Sequence, residues 1–316
     1  MSDIARHALP LYGLAPDTPL ALLNRSENET WQAGRLVLRL HREGYHTKPE
    51  IASELSWLDA LRDLPGLRCV RPVAGAQGLV SEVDGRLVVG FALIGGQELR
   101  PGDDLARWFA PLGEITARLH LHARQWTLPP GFTRKRWDVG TILGPKPHWG
   151  DWRRASGLDA PGAVLLDRAT RVLADRLHAY GTGPEVFGLI HADLRLANLM
   201  VEGESLTAID FDDCGFGWWV YDLAAAVSFI ETDNRLPDLI ARWCEGYTRI
   251  APLQPRDQAM IPAMIFLRRV LLTAWLASRA DSDTAAALGG AAYTLGTLHL
   301  AEGFLTDGLA AMTAGL

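Results

Sequence analysis

Residues 189–201 read LIHADLRLANLMV and residues 208–213 read AIDFDD, and these two segments decide how the chain is read. Asp193 stands two residues after His191 and five before Asn198, and Asp210 follows Asn198 by twelve. The apolar runs 199–201 and 206–209, joined through Gly203, Glu204 and Ser205, spell a hairpin, so Asn198 and Asp210 are expected to return to the same end of it. Two carboxylates and a carboxamide gathered there suit phosphoryl transfer. In that reaction the protein mainly positions the accepting hydroxyl and neutralises phosphate charge through Mg²⁺. Asp193 would face the hydroxyl. Mg²⁺ takes hard oxygen ligands and completes its shell with waters and phosphates, so Asn198 and Asp210 would suffice from the protein. Singly, each of the three reads as a turn residue capping a strand; together, each bounded by apolar strands, they favour the transfer site.

The order His191, Asp193, Asn198, Asp210 resembles the kinase catalytic loop H-R-D-x-x-x-x-N with its later metal-binding Asp. LIHADLRLANLMV and AIDFDDCGFGWWVYDLAAA more closely resemble the aminoglycoside phosphotransferase and choline kinase superfamily, in particular its homoserine-kinase-like and stress-response-kinase-like branch. The resemblance runs from about residue 24 to 247 and implies an α+β, protein-kinase-like bilobal fold. A small antiparallel β lobe with one helix, residues 1–94, would bind nucleotide, and a larger, mostly helical lobe, residues 95–316, would carry the catalytic and metal-binding loops and the acceptor site. It implies ATP and Mg²⁺ as cofactors. It also implies a strand cation paired with a helix Glu to grip the α- and β-phosphates, and Arg39 and Glu54, fifteen residues apart, occupy those places. Arg departs from the usual Lys, but its planar fork can hold carboxylate and phosphate oxygens together. No G-x-G-x-x-G precedes Arg39; Ser26 and Asn28, in the turn 25–29, either offer hydrogen bonds to phosphates or simply close a hairpin. Arg195 falls where many protein kinases keep a Lys near the moving phosphate, and either stabilises developing charge there or pairs with Asp212 or Asp213. Ala192 replaces the Arg that pairs with a phosphorylated activation loop, and only eleven residues separate Asp210 from Asp222, so constitutive assembly is expected. Asp222 is expected to cap or brace the helix beginning nearby, and His191 to hold the catalytic loop.

Composition narrows the alternatives. At 316 residues the chain can bury one large or two moderate cores. With 48% hydrophobic and 22% charged residues it reads as a globular protein, and a net charge of −6 argues against general nucleic-acid binding. Cys69, Cys214 and Cys244 are odd in number and widely spaced, which suggests neither a disulfide framework nor a zinc site, and a reducing, cytoplasmic setting is expected. The first residues show no signal-peptide pattern, and residues 284–301, though uncharged, are broken by glycines and threonines, so a packed core helix is expected rather than a membrane span. Oligomeric state is not legible.

Along the chain, a short leading helix at 3–14 precedes strands over 20–40, with Leu36, Leu38 and Leu40 on one face and Val37 and Arg39 on the other. Residues 47–64 read as a helix, and 69–74, 78–83 and 86–94 as strands, the last two joined by an Asp-Gly turn. Gly95 and Gly96 suggest a hinge. Helices are expected over 103–126, 161–180, 219–230, 235–250, 256–280 and 284–312, with an irregular stretch at 127–158.

The acceptor is less legible. Trp137, Trp149, Trp152, Trp218 and Trp219 either stack on a ligand or, more in keeping with tryptophan generally, pack in the core. The basic balance of residues 134–154 suits an anionic or zwitterionic acceptor, whereas Asp212, Asp213, Glu231 and Asp233 could receive an amino group. Together they point to a small-molecule hydroxyl of the amino-alcohol or hydroxy-amino-acid type, with an aminoglycoside disfavoured. A Ser/Thr protein kinase of the stress-response type and a catalytically silent nucleotide-binding module stand as alternatives.

Overall fold

Leu36, Leu38 and Leu40 alternate with Val37 and Arg39, and in the computed structural model this alternation sorts the strand's two faces. The structure describes residues 2–25, 28–280, 289–306 and 309. Its strands near the N-terminus are β1 (Ala21–Arg25), β2 (Glu29–Ala33), β3 (Leu36–Leu40), β4 (Pro72–Val73), β5 (Val80–Val83) and β6 (Arg86–Ala92). They form an antiparallel sheet in the order β1-β2-β3-β6-β4, with β5 also paired to β6. The three leucines of β3 pack with Val83, Val88 and the leading helix α1 (Ser2–Ala8), whose Ala5 and Ala8 are fully buried. Arg39 and Val37 thereby project from the opposite face, toward α2 (Lys48–Leu61). A capping box between Thr47 and Glu50 starts α2. Asp84 and Gly85, both with positive φ, close the β5–β6 hairpin as an Asp-Gly turn should.

The strand expected over 69–74 shortens to Pro72–Val73, because Pro72 has no N–H to donate. Cys69 instead bridges in parallel to Ala208. Ala208 ends β10 (Ser205–Ala208), which forms the predicted hairpin with β9 (Leu199–Glu202) in a three-stranded sheet ordered β10-β9-β7, where β7 is Gln97–Glu98. Gly96 passes against the backbone carbonyl of Val201, where any Cβ would collide.

The chain divides into two compact units. One holds residues 1–97, 127–135 and 200–212, and the other residues 98–126, 136–199 and 213–316. The second is mostly helical: α3 (Ala106–Gln125), α4 (Val139–Ile142), α5 (Ala160–Tyr180), α6 (Tyr221–Ala226), α7 (Leu236–Ile250), α8 (Pro255–Ser278) and α9 (Gly290–Leu305). It also carries the antiparallel pair β8 (Phe187–Ile190) and β11 (Gly215–Trp218). α3 and α7 cross with no room for a Cβ at Gly113 or Gly246, each lying against a carbonyl of the other helix. The helix expected over 219–230 ends at Ala226, three residues before Phe229 adopts φ +70. Of the last expected helix, residues 284–288, 307–308 and 310–312 lie outside the described residues. α8 is long and apolar enough to cross a membrane, with a mean hydropathy of 1.6 over its best window, yet 83% of that window is buried within the protein, as in a core helix.

Candidate active site

In the first unit, the mid-strand position of Arg39 buries its guanidinium and gives it several acid partners. Its Nη2 donates to both carboxylate oxygens of Glu54 at 2.7 and 2.6 Å, and its Nη1 donates to Asp210 Oδ1 at 3.3 Å. Asp212 Oδ1 stands 3.7 Å from Nη2. Burial alone would favour a neutral guanidine, but Glu54, Asp212 and Asp210 outweigh it and raise the pKa, so the charge is permanent. The ring of Phe91 covers the guanidinium carbon at 4.9 Å. Asp210, with φ +60, is one of four non-glycine described residues in the left-handed region, a placement that costs energy and is concentrated at functional sites. Its side chain remains 42% exposed while Arg39 is 6% exposed, so the acid presents an accessible oxygen-bearing face beside a buried cation.

Asp212 closes this cluster. Its Oδ2 accepts from Asn28 Nδ2 at 2.7 Å and lies 3.5 Å from His46 Nε2, and its Oδ1 lies 3.6 Å from His41 Nδ1. Burial opposes ionisation of Asp212, but the Arg39 cation and then the hydrogen bond from His46 hold its carboxyl well below the usual range. Burial and the nearby Arg39 cation push His41 down to about 3, so that imidazole stays neutral. The Asn28 carboxamide is committed at both ends, since its oxygen accepts from the Arg42 N–H at 3.0 Å. A phosphate contact from Asn28 would therefore come from its backbone. Ser26 lies outside the described residues.

In the second unit, β8 delivers His191 and Ala192 to a strained turn, Ala192 having φ +66. The turn is held by Asp222, whose Oδ2 and Oδ1 accept the backbone N–H groups of His191 and Ala192 at 3.1 and 2.7 Å. The cap of α6 is Val220, with no side-chain bond, so Asp222 braces the catalytic loop rather than its own helix. His120 Nε2 stands 3.0 Å from Asp222 Oδ2, and its Nδ1 is 3.0 Å from Tyr247 Oη. Burial lowers the His120 pKa against the pull of Asp222. His191, fully buried, accepts the Asp193 N–H on Nδ1 at 3.2 Å.

Asp193 is thus fixed at its backbone, and its carboxylate is fixed too. Asn198 Nδ2 donates to Asp193 Oδ2 at 2.7 Å and to its carbonyl at 2.8 Å. Arg195 Nε donates to the same Oδ2 at 3.3 Å, so its carboxylate partner is Asp193. Arg268, 1% exposed on α8, donates from Nη2 to Asp193 Oδ1. It also donates to the Ala192 carbonyl, Tyr221 Oη and Ser228 Oγ, and lies 5.2 Å from the Trp149 ring centre. Arg268 was not among the candidates taken from the sequence. The available signal was compositional: residues 258–278 carry no charge except the adjacent Arg268 and Arg269, and charges inside an apolar helix need partners.

The donor set suits a hard cation. With its nitrogen committed to Asp193, the Asn198 carboxamide has its carbonyl oxygen left for a metal. Among the described residues no cluster of three or more His, Cys, Asp or Glu could hold a metal alone. The two metal candidates taken from the sequence fall in different units, Asn198 in the second and Asp210 in the first, and a cation with so few protein ligands fills its shell from phosphates and water, as Mg²⁺ does.

The acceptor candidates sort differently. All five tryptophans named above are buried at 5% exposure or less, which makes them packing residues. In the basic stretch, Arg134 donates to the Glu50 and Asp212 carbonyls, Arg136 to Asp138, and Arg153 to Asp151 and Asp167. Much of that positive charge is satisfied internally. Glu231 is paired with Arg269 and Tyr293, and Asp233 with Arg235. Asp213 is buried and, with Asp193, lies in the electrostatic neighbourhood of Tyr221.

Comparison with known proteins gives the family of the chain. The profile of the phosphotransferase enzyme family matches residues 23–253. A solved structure described as a microcompartment-associated aminopropanol kinase is 43% identical, with a TM-score of 0.90 over 97% of this chain and 98% of its own. The amicoumacin kinase hAmiN, solved with AMP-PNP, Ca²⁺ and Ami, is 21% identical with a TM-score of 0.74, covering 94% and 92%. The homoserine kinase of Methylobacillus glycogenes is 26% identical over 78% of this chain and 74% of its own. The expected α+β, kinase-like fold class holds.

Proposed function

We propose, since the chain belongs to the phosphotransferase enzyme family, that it moves the γ-phosphoryl group of ATP to the hydroxyl of a small amino alcohol in the presence of Mg²⁺. It is a kinase of the small-molecule type. The observation that carries the acceptor class is the near full-length similarity to an aminopropanol kinase. Nucleotide use is supported by the AMP-PNP complex of a structural neighbour.

In this mechanism Asp193 receives the acceptor hydroxyl and draws its proton as the oxygen attacks. Arg268 and Asn198 fix the carboxylate in one orientation, so the hydroxyl meets the phosphoryl group without a search through rotamers. Arg195 stands on the same carboxylate and offers positive charge to the moving phosphoryl. Arg39, locked by Glu54, presents a permanent cation to the nucleotide phosphates. Asn198 and Asp210 are the residues proposed to hold Mg²⁺, which would supply charge neutralisation to the phosphates. The setting proposed for this chemistry is cytoplasmic.

Steady-state turnover of ATP and Mg²⁺ with aminopropanol, homoserine and kanamycin tests the assignment. The expected result is a kcat/KM for aminopropanol at least about a hundredfold above that for kanamycin, the scale on which paired polar groups discriminate. Turnover of kanamycin alone, or of none of the three, overturns it.

A further inference from the structure

A cavity of about 600 Å³ lies wholly within the first unit, and none of its lining residues is among those assigned to transfer. Its charged lining is Arg35, Arg62, Arg68, Arg71 and Glu202, and Leu93 contributes to its apolar floor. Arg62 pairs with Asp59 at 2.6 Å, but Arg35, Arg68 and Arg71 form no ion pair among the described residues. In a chain of net charge −6, these guanidinium groups share their hollow with a single carboxylate, Glu202, so like charge predominates there.

Their side chains are exposed, but the backbone that carries them is fixed. The Arg35 carbonyl accepts from Leu93 N–H at 2.9 Å, the Arg71 carbonyl from Ala92 N–H at 2.9 Å, and the Arg68 carbonyl from Ala208 N–H at 3.0 Å. Arg35 and Arg71 are thus tied at their backbones to the adjacent residues Leu93 and Ala92 and Arg68 to Ala208, and the three side chains line one hollow. Gly95 leaves space for Glu202, whose carboxylate would stand 2.5 Å from any Cβ at that position. A single acid is therefore kept at the edge of the basic group.

From this geometry we infer a second ligand site, for a small phosphomonoester that also carries an ammonium group. The guanidinium forks match phosphate oxygens bidentately, Glu202 matches the ammonium, and the volume lies in the range of small-molecule pockets. The site is connected to the transfer machinery through the chain itself, since Ala208, tied to Arg68, stands two residues before Asp210. It rests on the cavity and not on the acceptor proposed above.

Calorimetric titration of the full chain, saturated with AMP-PNP and Mg²⁺ so that phosphate positions at the transfer site are filled, tests the inference with two probes. Pyrophosphate and O-phosphoethanolamine are each expected to bind saturably. Arg68→Ala/Arg71→Ala should weaken both by at least about tenfold, the scale of lost charge-assisted bonds, and Arg68→Lys/Arg71→Lys by less. Glu202→Gln should weaken O-phosphoethanolamine and leave pyrophosphate unchanged. AMP-PNP affinity, measured first on every variant, should equal that of the parent and certifies an intact fold. Absence of saturable binding of either probe, or unchanged binding after Arg68→Ala/Arg71→Ala, overturns the site; indifference of O-phosphoethanolamine to Glu202→Gln overturns its ammonium half.

Discussion

Asp193 meets a buried arginine on one oxygen and the carboxamide of Asn198 on the other, and that double hold separates two kinds of damage. Arg268→Met leaves the carboxyl in place but frees it to turn. The expected result is a kcat lower by about ten- to a hundredfold with little change in the KM for ATP, because a displaced reacting group costs turnover before binding. Arg268→Lys should recover part of the loss, and steady-state kinetics on the two variants check both statements. Asp222 acts on the backbone instead. Asp222→Ala strands two buried N–H groups, those of His191 and Ala192, at about 1–3 kcal/mol each, and urea unfolding should register a loss of that order. None of these partners could be read from the sequence. Arg268 lies 75 residues from Asp193 and His120 lies 102 from Asp222, so only the folded chain reveals the pairing. The contact of Asn198 with Asp193 was legible because the two stand five residues apart on one loop.

Elements carry the next set of consequences. α2 and β3 are joined by the Arg39–Glu54 pair, both members almost fully buried. Glu54→Gln leaves Arg39 in the interior without its closest counter-charge, and a loss of about 3–5 kcal/mol is expected in denaturant unfolding, the scale for breaking a buried pair on one side. His41, just beyond β3, gives a pH dependence with a fixed sign. Its folded pKa lies near 3 against an ordinary 6.5, so between those values the unfolded chain binds the proton and the native chain does not. His41 thus subtracts stability as pH falls from about 6.5 toward 3. Comparing unfolding free energies at pH 7 and pH 5, His41→Asn should lose less on acidification than the parent; an equal loss would show that His41 titrates normally. Periodicity made β3 and α2 visible in the sequence. It also marked the β5–β6 hairpin, through an Asp-Gly turn whose positive φ angles few other residues tolerate. Pro72 marked the limit of β4 in the sequence, whereas the parallel bridge at Cys69 and the early end of α6 before the left-handed turn at Phe229 are set by tertiary neighbours and were not visible.

At the scale of the whole chain, the residues assigned to transfer are distributed over both compact units, Arg39, Glu54 and Asp210 in one and Asp193, Asn198 and Arg268 in the other. The α+β division was legible because strand and helix periods occupy different stretches of sequence. The acceptor was not, because the charges that seemed to advertise it are largely spent within the protein, Arg134 on carbonyls and Glu231 on Arg269. The most direct test is ³¹P NMR of the products formed from ATP, Mg²⁺ and aminopropanol by the parent and by Asp193→Asn. A phosphomonoester resonance should grow with the parent and grow at least about a hundredfold more slowly with the variant, as removal of a general base requires. Equal rates from the two proteins would remove Asp193 from the chemistry, and with it the reading of LIHADLRLANLMV as the place where the hydroxyl is phosphorylated.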